Sequence, residues 1–163
     1  MWEGRFITAK RQGRWEYVSR SRGIKAAVIL AVDDDHVLLV EQYRVPLGKY
    51  CIELPAGLVG DHDANKDEDP SLAAIRELEE ETGYRAEAME DCGQYYSSPG
   101  MVSESFSLFK ATGLTKVGEG GGVDGENITV HRVALASLDD FIAAKRQEGT
   151  GIDVRLLLLS NLI

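Results

Sequence analysis

Cysteine, histidine and positive charge are all scarce in this chain, and each scarcity removes a class of protein. Two cysteines among 163 residues, Cys51 and Cys92, cannot build a disulfide framework, and no CxxC spacing suggests zinc or redox chemistry. Both are expected to be reduced bystanders. The three histidines, His36, His62 and His131, are scattered without metal-ligand spacing, and no Ser/His/Asp constellation accompanies them. Lys and Arg number 18 against 27 Asp and Glu, a formal charge of −9. That balance argues against nucleic-acid binding, which rests on cations that neutralise phosphates. No apolar run approaches the roughly 20 residues that cross a bilayer, and Met1-Trp2-Glu3-Gly4-Arg5 lacks the charged-then-apolar layout of a secretory signal. A soluble cytoplasmic protein without membrane partners is expected. GxGxxG is absent after the first core strand, which removes the dinucleotide fingerprint.

What is present is a chain of one-domain size with 44% apolar residues, enough for one substantial core. Short β-like runs at 5–9 and 15–20 flank the turn-rich Lys10-Arg11-Gln12-Gly13 and predict an N-terminal β-hairpin. Residues 1–22 are assigned to it and 23–163 to the main domain. Apolar strands are predicted at 24–32, 37–43 and 50–54, the last stopped by Pro55-Ala56-Gly57. A helix is expected over 70–82, with Asp69 as N-cap, Pro70 in the first turn and Gly83 as the left-handed residue beyond its end. Further strands are predicted at 92–97, 105–112 and 127–135, with a mobile loop at 118–125 before the last. Ser137 caps a second helix to about Gln147, and 152–163 reads as a final packed helix or a buried strand. Strands and helices without regular βαβ alternation favour an α/β sandwich with a mixed sheet.

The most informative stretch is Arg76-Glu77-Leu78-Glu79-Glu80-Glu81-Thr82-Gly83. Helical residues turn by about 100° each, which places Leu72, Ile75, Leu78 and Thr82 on one face and Glu77, Glu80 and Glu81 on the other. Like charges at this spacing repel and resist joint ionisation. A hard cation such as Mg²⁺ or Mn²⁺ would compensate them and would also neutralise phosphate oxygens. Taken alone, a Glu-rich helix more often presents a solvated acidic stripe, and it is the surrounding sequence that decides otherwise.

Glu68, then seven residues, then Arg-Glu-Leu-Glu-Glu-Glu-Thr-Gly-Tyr resembles the Nudix box, GX5EX7REUXEEXGU, with U a bulky apolar residue. Glu68, Arg76, Glu77, Leu78, Glu80, Glu81, Gly83 and Tyr84 all occupy motif positions. The leading glycine departs from the pattern: ten residues separate Gly57 from Glu68 where the motif has five, and His62 holds the strict position. An insertion within 60–67 accounts for this, because loop-closure entropy grows slowly with length. Outside the box, Trp15-Glu16, Gln42-Tyr43-Arg44, the run 50–57, and Ser98-Pro99-Gly100 resemble the ADP-ribose and ADP-sugar pyrophosphatases. Pro99 falls sixteen residues after Gly83, a spacing associated in that family with ADP-ribose hydrolysis.

The resemblance implies a Nudix-type α/β/α sandwich and Mg²⁺-dependent hydrolysis of a nucleoside diphosphate sugar, with ADP-ribose yielding AMP and ribose 5-phosphate. It implies Glu77, Glu80, Glu81 and the Ala56 carbonyl as metal ligands, with Arg76 orienting the acids. Glu126, or else Glu104, would be the general base. Trp2, Trp15, Glu16, Arg20, Arg44, Pro99 and Met101 would bind substrate, the two tryptophans sandwiching the base across a homodimer. The alternatives are another nucleotide sugar such as GDP-mannose, or a sensor that binds ADP-ribose without cutting it.

Overall fold

The computed structural model describes residues 1–21, 25–59, 69–123 and 125–159. Glu68 and the inserted segment, expected above to complete the motif, lie outside them. Three strands, β1 (Trp2–Glu3), β2 (Ile7–Gln12) and β3 (Trp15–Arg20), form an antiparallel sheet of their own, one strand more than the hairpin predicted. β4 (Lys25–Asp33) and β5 (His36–Arg44) follow, joined by a tight turn in which Asp34 and Asp35 take positive φ. These are residue types that tolerate the left-handed region.

The two central strands pair only beside this turn, at Val32 with Val37 and Asp33 with His36, so the mixed sheet divides into two wings. In one, β4 pairs antiparallel with β7 (Ala56–Val59) and parallel with β10 (Ser105–Thr112), which pairs in turn with β9 (Ala88–Tyr96). In the other, β5 lies between β6 (Lys49–Glu53) and β12 (Thr129–Ala134), and β13 (Gly151–Ile152) extends β6. A two-stranded ladder, β8 (Tyr84–Arg85) with β11 (Thr115–Lys116), stands apart.

Alternation along β4 builds two cores. Ala27, Ile29 and Ala31 turn toward helix α1 (Pro70–Thr82) with Leu38, Phe109 and Ala111, while Val28 and Leu30 face Leu39, Ile52, Leu108 and Leu156. Helix α2 (Leu138–Gln147) covers that second cluster through Phe141 and Ile142. The expected α/β/α sandwich is therefore the fold found, and α1 has the predicted limits, with Asp69 accepting from the Ser71 amide and Gly83 at φ 73°.

The strand expected to stop at Pro55 does so, β6 ending at Glu53, and Ala56 then starts β7, which the sequence did not suggest and which returns along β4. Three sequence-based expectations are corrected. In the described part of the last segment β13 gives way to a 3-10 helix over Val154–Leu158, after which Leu159 is helical; residues 160–163 of the expected helix or strand lie outside the described residues. The helix face is rolled, with Leu72 59% exposed and Ala73, Ala74, Leu78, Glu81 and Thr82 buried; the small alanines fit against β4 and carry the acidic face inward. Finally, the loop expected to be mobile is tied to the end of α1. The amides of Val117 and Gly118 donate to the Gly83 carbonyl, Gly121 to Glu81 and Gly122 to Glu80, satisfying carbonyls that a helix C-terminus leaves open. A Cβ on Gly120 would lie 2.4 Å from the Thr82 backbone, so only glycine allows this approach.

Candidate active site

Where β7 crosses α1, a cavity of about 630 Å³ opens between the two wings, within the range of small-molecule sites. One wall is acidic. Glu77 reaches it over Gly57, where a Cβ would stand 1.9 Å from the Glu77 carboxyl carbon. Glu81 lies one turn on, 6% exposed, accepting a 3.0 Å bond from the Ala56 amide. Burial pushes the Glu81 carboxyl up to about 8; the Ala56 amide opposes the shift, and the charges of Glu77 and Glu126 add to it.

The other walls are cationic. Arg44 Nε and Nη2 clasp the two oxygens of Glu53 at 2.5 and 2.8 Å, and Arg155 Nη2 takes Glu53 Oε2 at 2.8 Å and Asp153 Oδ2 at 2.7 Å. Glu53 is 3% exposed, so its charge is matched by two planar donors, as burial of a carboxylate requires. Arg20 and Glu104 form an ion pair at the cavity edge. Cys51 also lines the cavity, but burial raises its thiol to about 11, which leaves it unreactive.

The residues singled out from the sequence fall into three groups. Ala56, Glu77, Glu81, Arg44, Arg20, Glu104 and Glu126 all line this cavity. Arg76 and Glu80 do not: Arg76 Nη1 bridges Glu77 Oε1 at 2.9 Å and Glu80 Oε2 at 3.1 Å beside the wall. Trp2, Trp15, Glu16, Pro99 and Met101 are exposed on the surface, and Ser97 lines the cavity in place of Pro99. Glu126 has its Oε2 held by the Val123 amide at 2.9 Å, and its carbonyl accepts from Gln42 Nε2.

Sequence reading missed Glu53, Asp153 and Arg155. Arg155 comes from the far end of the chain, and only the parallel pairing of β13 with β6 brings it beside Glu53. The sole signal was a carboxylate inside the apolar run 50–54, since buried acids need partners.

Among the described residues no three His, Cys, Asp or Glu side chains form a ready cage for a metal ion. The donor set still fits a hard divalent cation. Glu77, ion-paired with Arg76, and the buried Glu81 are oxygen donors on one wall of the site, and Mg²⁺ is commonly held by one or two carboxylates together with substrate phosphates and water.

The NUDIX domain family matches residues 22–152. The chain is 40% identical over 121 residues to a methanol dehydrogenase activator of Bacillus methanolicus, covering 74% of this chain and 63% of that one. It is 38% identical to an ADP-ribose pyrophosphatase of Bacillus subtilis (57% and 48% covered) and 39% identical to a GDP-mannose pyrophosphatase of Cronobacter sakazakii (85% and 72%). It thus spans just under two thirds of the first relative and about half of the second. The crystal structure of an ADP compounds hydrolase shares the fold, with a TM-score of 0.64 at 21% identity over 84% of this chain and 80% of that one.

Proposed function

The chain belongs to the NUDIX family, and on that premise we propose that it is a pyrophosphatase for a nucleoside diphosphate sugar, cutting ADP-ribose to AMP and ribose 5-phosphate. The observation that carries this reading is the pairing of the acidic wall, Glu77 and Glu81, with the Arg44, Arg20 and Arg155 side of one cavity. A diphosphate between sugar and nucleoside needs both. The guanidinium of Arg44, fixed in direction by Glu53, offers planar donors to phosphate oxygens without losing much entropy.

Glu77 and Glu81, with Glu80 and the Ala56 carbonyl as further donors, would hold Mg²⁺ or Mn²⁺, which when bound neutralises the diphosphate and lowers the pKa of attacking water. Glu126 is the first choice to take the proton from that water, because Glu104 is already engaged by Arg20. Water oxygen bonds to one phosphorus, the bridging oxygen leaves with its electron pair, and the proton passes to Glu126.

The base would be clamped between Trp2 and Trp15 of different subunits, near Glu16, Arg20, Pro99 and Met101. Strand register supports two chains here. Trp2 pairs with Ala9 and Ala9 with Val18, while Trp15 pairs with Gln12; alternation then puts the tryptophans on opposite faces of the sheet. One chain cannot close both rings on one base. The face with Trp2, Ile7, Ala9 and Val18 carries apolar side chains, with Trp2 and Ile7 exposed, and a second copy would cover it. The free thiols Cys51 and Cys92 suit a reducing, cytoplasmic setting.

The relation to a GDP-mannose pyrophosphatase over 85% of this chain favours a second reading, the same chemistry on another base. The test is Mg²⁺-dependent hydrolysis of ADP-ribose, other ADP-sugars, GDP-mannose, NADH and FAD, with products separated by chromatography. Preferential release of AMP from ADP-ribose is expected. A preference for GDP-mannose would transfer the pocket to the second reading, and binding of ADP-ribose without cleavage of any diphosphate would make the protein a sensor.

A further inference from the structure

Glu126 reaches the cavity from a glycine-rich loop, yet that loop is fastened to the helix that carries the acidic wall. The Gly121 amide donates to the Glu81 carbonyl at 2.8 Å and the Gly122 amide to the Glu80 carbonyl at 3.0 Å, so the strap over residues 120–122 is keyed to the main chain of two of the acids themselves. A Cβ on Gly120, at φ 69°, would stand 2.4 Å from the Thr82 carbonyl carbon and 2.7 Å from the Glu81 carbonyl oxygen. Both are backbone atoms of a packed helix end, and only glycine lets the strap lie this close.

Beyond the strap, Glu126 is fixed again. The Ile128 amide donates to the Gly121 carbonyl at 3.1 Å, Gln42 Nε2 to the Glu126 carbonyl at 3.3 Å, and the Val123 amide to Glu126 Oε2 at 2.9 Å. Gly122, at φ 79°, makes room for that carboxylate, because a Cβ there would lie 2.3 Å from Oε2. Glu126 and Glu81 line one cavity, close enough for the Glu126 charge to help raise the Glu81 carboxyl. Loops beside reacting groups often act by closing over substrate; here the amides that such a motion would have to free are already bonded to α1.

Taking Glu126 as the proton acceptor proposed above, we infer that Gly120 and Gly122 are positioning residues, which set Glu126 against the acidic wall before substrate binds. The metal carboxylates and the proton acceptor then form one rigid unit, and no loop closure is needed to assemble them.

A double-mutant cycle tests this, read by steady-state hydrolysis of ADP-ribose with Mg²⁺ and joined to amide hydrogen exchange of the metal-free full chain. Gly120→Ala is expected to lower kcat about tenfold or more with KM changed less than about twofold. In the Glu126→Gln background its further effect should be less than about twofold, because a residue that acts through Glu126 has nothing left to position. The Gly121 and Gly122 amides should exchange slowly in the wild type and about tenfold faster or more in Gly120→Ala. Gly118→Ala is the control: Gly118 has no positive φ, a Cβ there would meet nothing closer than 3.9 Å, and both readouts should stay unchanged. If Gly120→Ala does not fold, Gly122→Ala, whose Cβ meets side-chain atoms of Glu126 and Ile128, should give the same loss of kcat and the same dependence on Glu126. Equal losses in the two backgrounds, or rapid exchange of both amides in the wild type, would overturn the strap and leave the hydrolase reading intact. A fully active Glu126→Gln would overturn it by removing the acceptor. Absence of any diphosphate cleavage by the wild type would overturn the proposed function, and this positioning role with it.

Discussion

The acidic wall and the N-terminal sheet border the same cavity, the sheet through Arg20, yet they are built on opposite rules. Along α1 a polar group is buried at the edge of a packed apolar core: Glu81 is 6% exposed and accepts from the Ala56 amide at the start of β7. In the N-terminal sheet large apolar side chains stay exposed on both faces, Trp2 and Ile7 on one and Trp15 on the other. The first region is stable because neighbouring elements over-determine it. The second is joined to the body by the Val18 and Ser103 amides, which donate to the Met101 and Val18 carbonyls, and by the Arg20–Glu104 ion pair. Buried carboxylates mark the chemical site, while exposed aromatic and apolar side chains mark a surface open to a partner.

Substitutions that separate the two regions sharpen this contrast. The largest effect is expected from Glu81→Gln, which keeps shape and removes charge: turnover should fall by roughly 10³-fold or more with folding intact by circular dichroism. A folded variant of near-normal activity would remove Glu81 from the metal site.

Next is Gly57→Ala. Its Cβ cannot coexist with Glu77 as placed, so the acid must swing out. Turnover should drop by about 10²-fold with little change in binding of the nucleotide moiety, measured by fluorescence titration.

Deleting residues 1–20 tests the other region. The product should be monomeric by gel filtration, and KM for ADP-ribose should rise about tenfold or more, as expected for the loss of one or two stacking contacts of about 1–3 kcal/mol. A dimer of unchanged KM would break the comparison, because the sheet would then serve neither contact.

The smallest effect is in stability against pH. Glu81 has a folded pKa of about 8, above its ordinary 4.5, so between these values the folded state binds more protons than the unfolded one. Stability of the metal-free protein should therefore fall as pH rises through that window, at a slope on the order of 1 kcal/mol per pH unit. Glu81→Gln should flatten the thermal-melt profile from pH 5 to 8, and Mg²⁺ should reverse the trend by favouring the ionised form. Identical profiles in wild type and variant would show that the burial of Glu81 carries no such cost.

Local patterns made the catalytic helix readable in advance. Asp69, Pro70 and Gly83 set its ends residue for residue, and the acids follow a motif whose spacing belongs to one helix. The strands of the core were also legible, to within a few residues, from apolar runs. The return of β7 along β4 was not, because Pro55-Ala56-Gly57 has the composition of a turn and its pairing partner lies nearly thirty residues earlier. The pinned glycine loop was hidden for a similar reason: its glycines signal freedom, but their amides are claimed by carbonyls at the end of α1. Nor could Arg155 be placed, since its carboxylate partner Glu53 is about a hundred residues away.

What the sequence determined by itself is whatever depends on near neighbours along the chain: helix limits, strand alternation, turn positions and the clustering of Glu77, Glu80 and Glu81 on one side of α1. Tertiary structure alone decided how far α1 is rolled, and so that Glu81 and Glu77 face the cavity while Glu80 turns to Arg76. It also decided that Glu53, Asp153 and Arg155 meet, and which face of the N-terminal sheet looks inward. These outcomes depend on volumes and charges brought together from distant positions, where packing against β4 and β7, rather than any local preference, selects the arrangement.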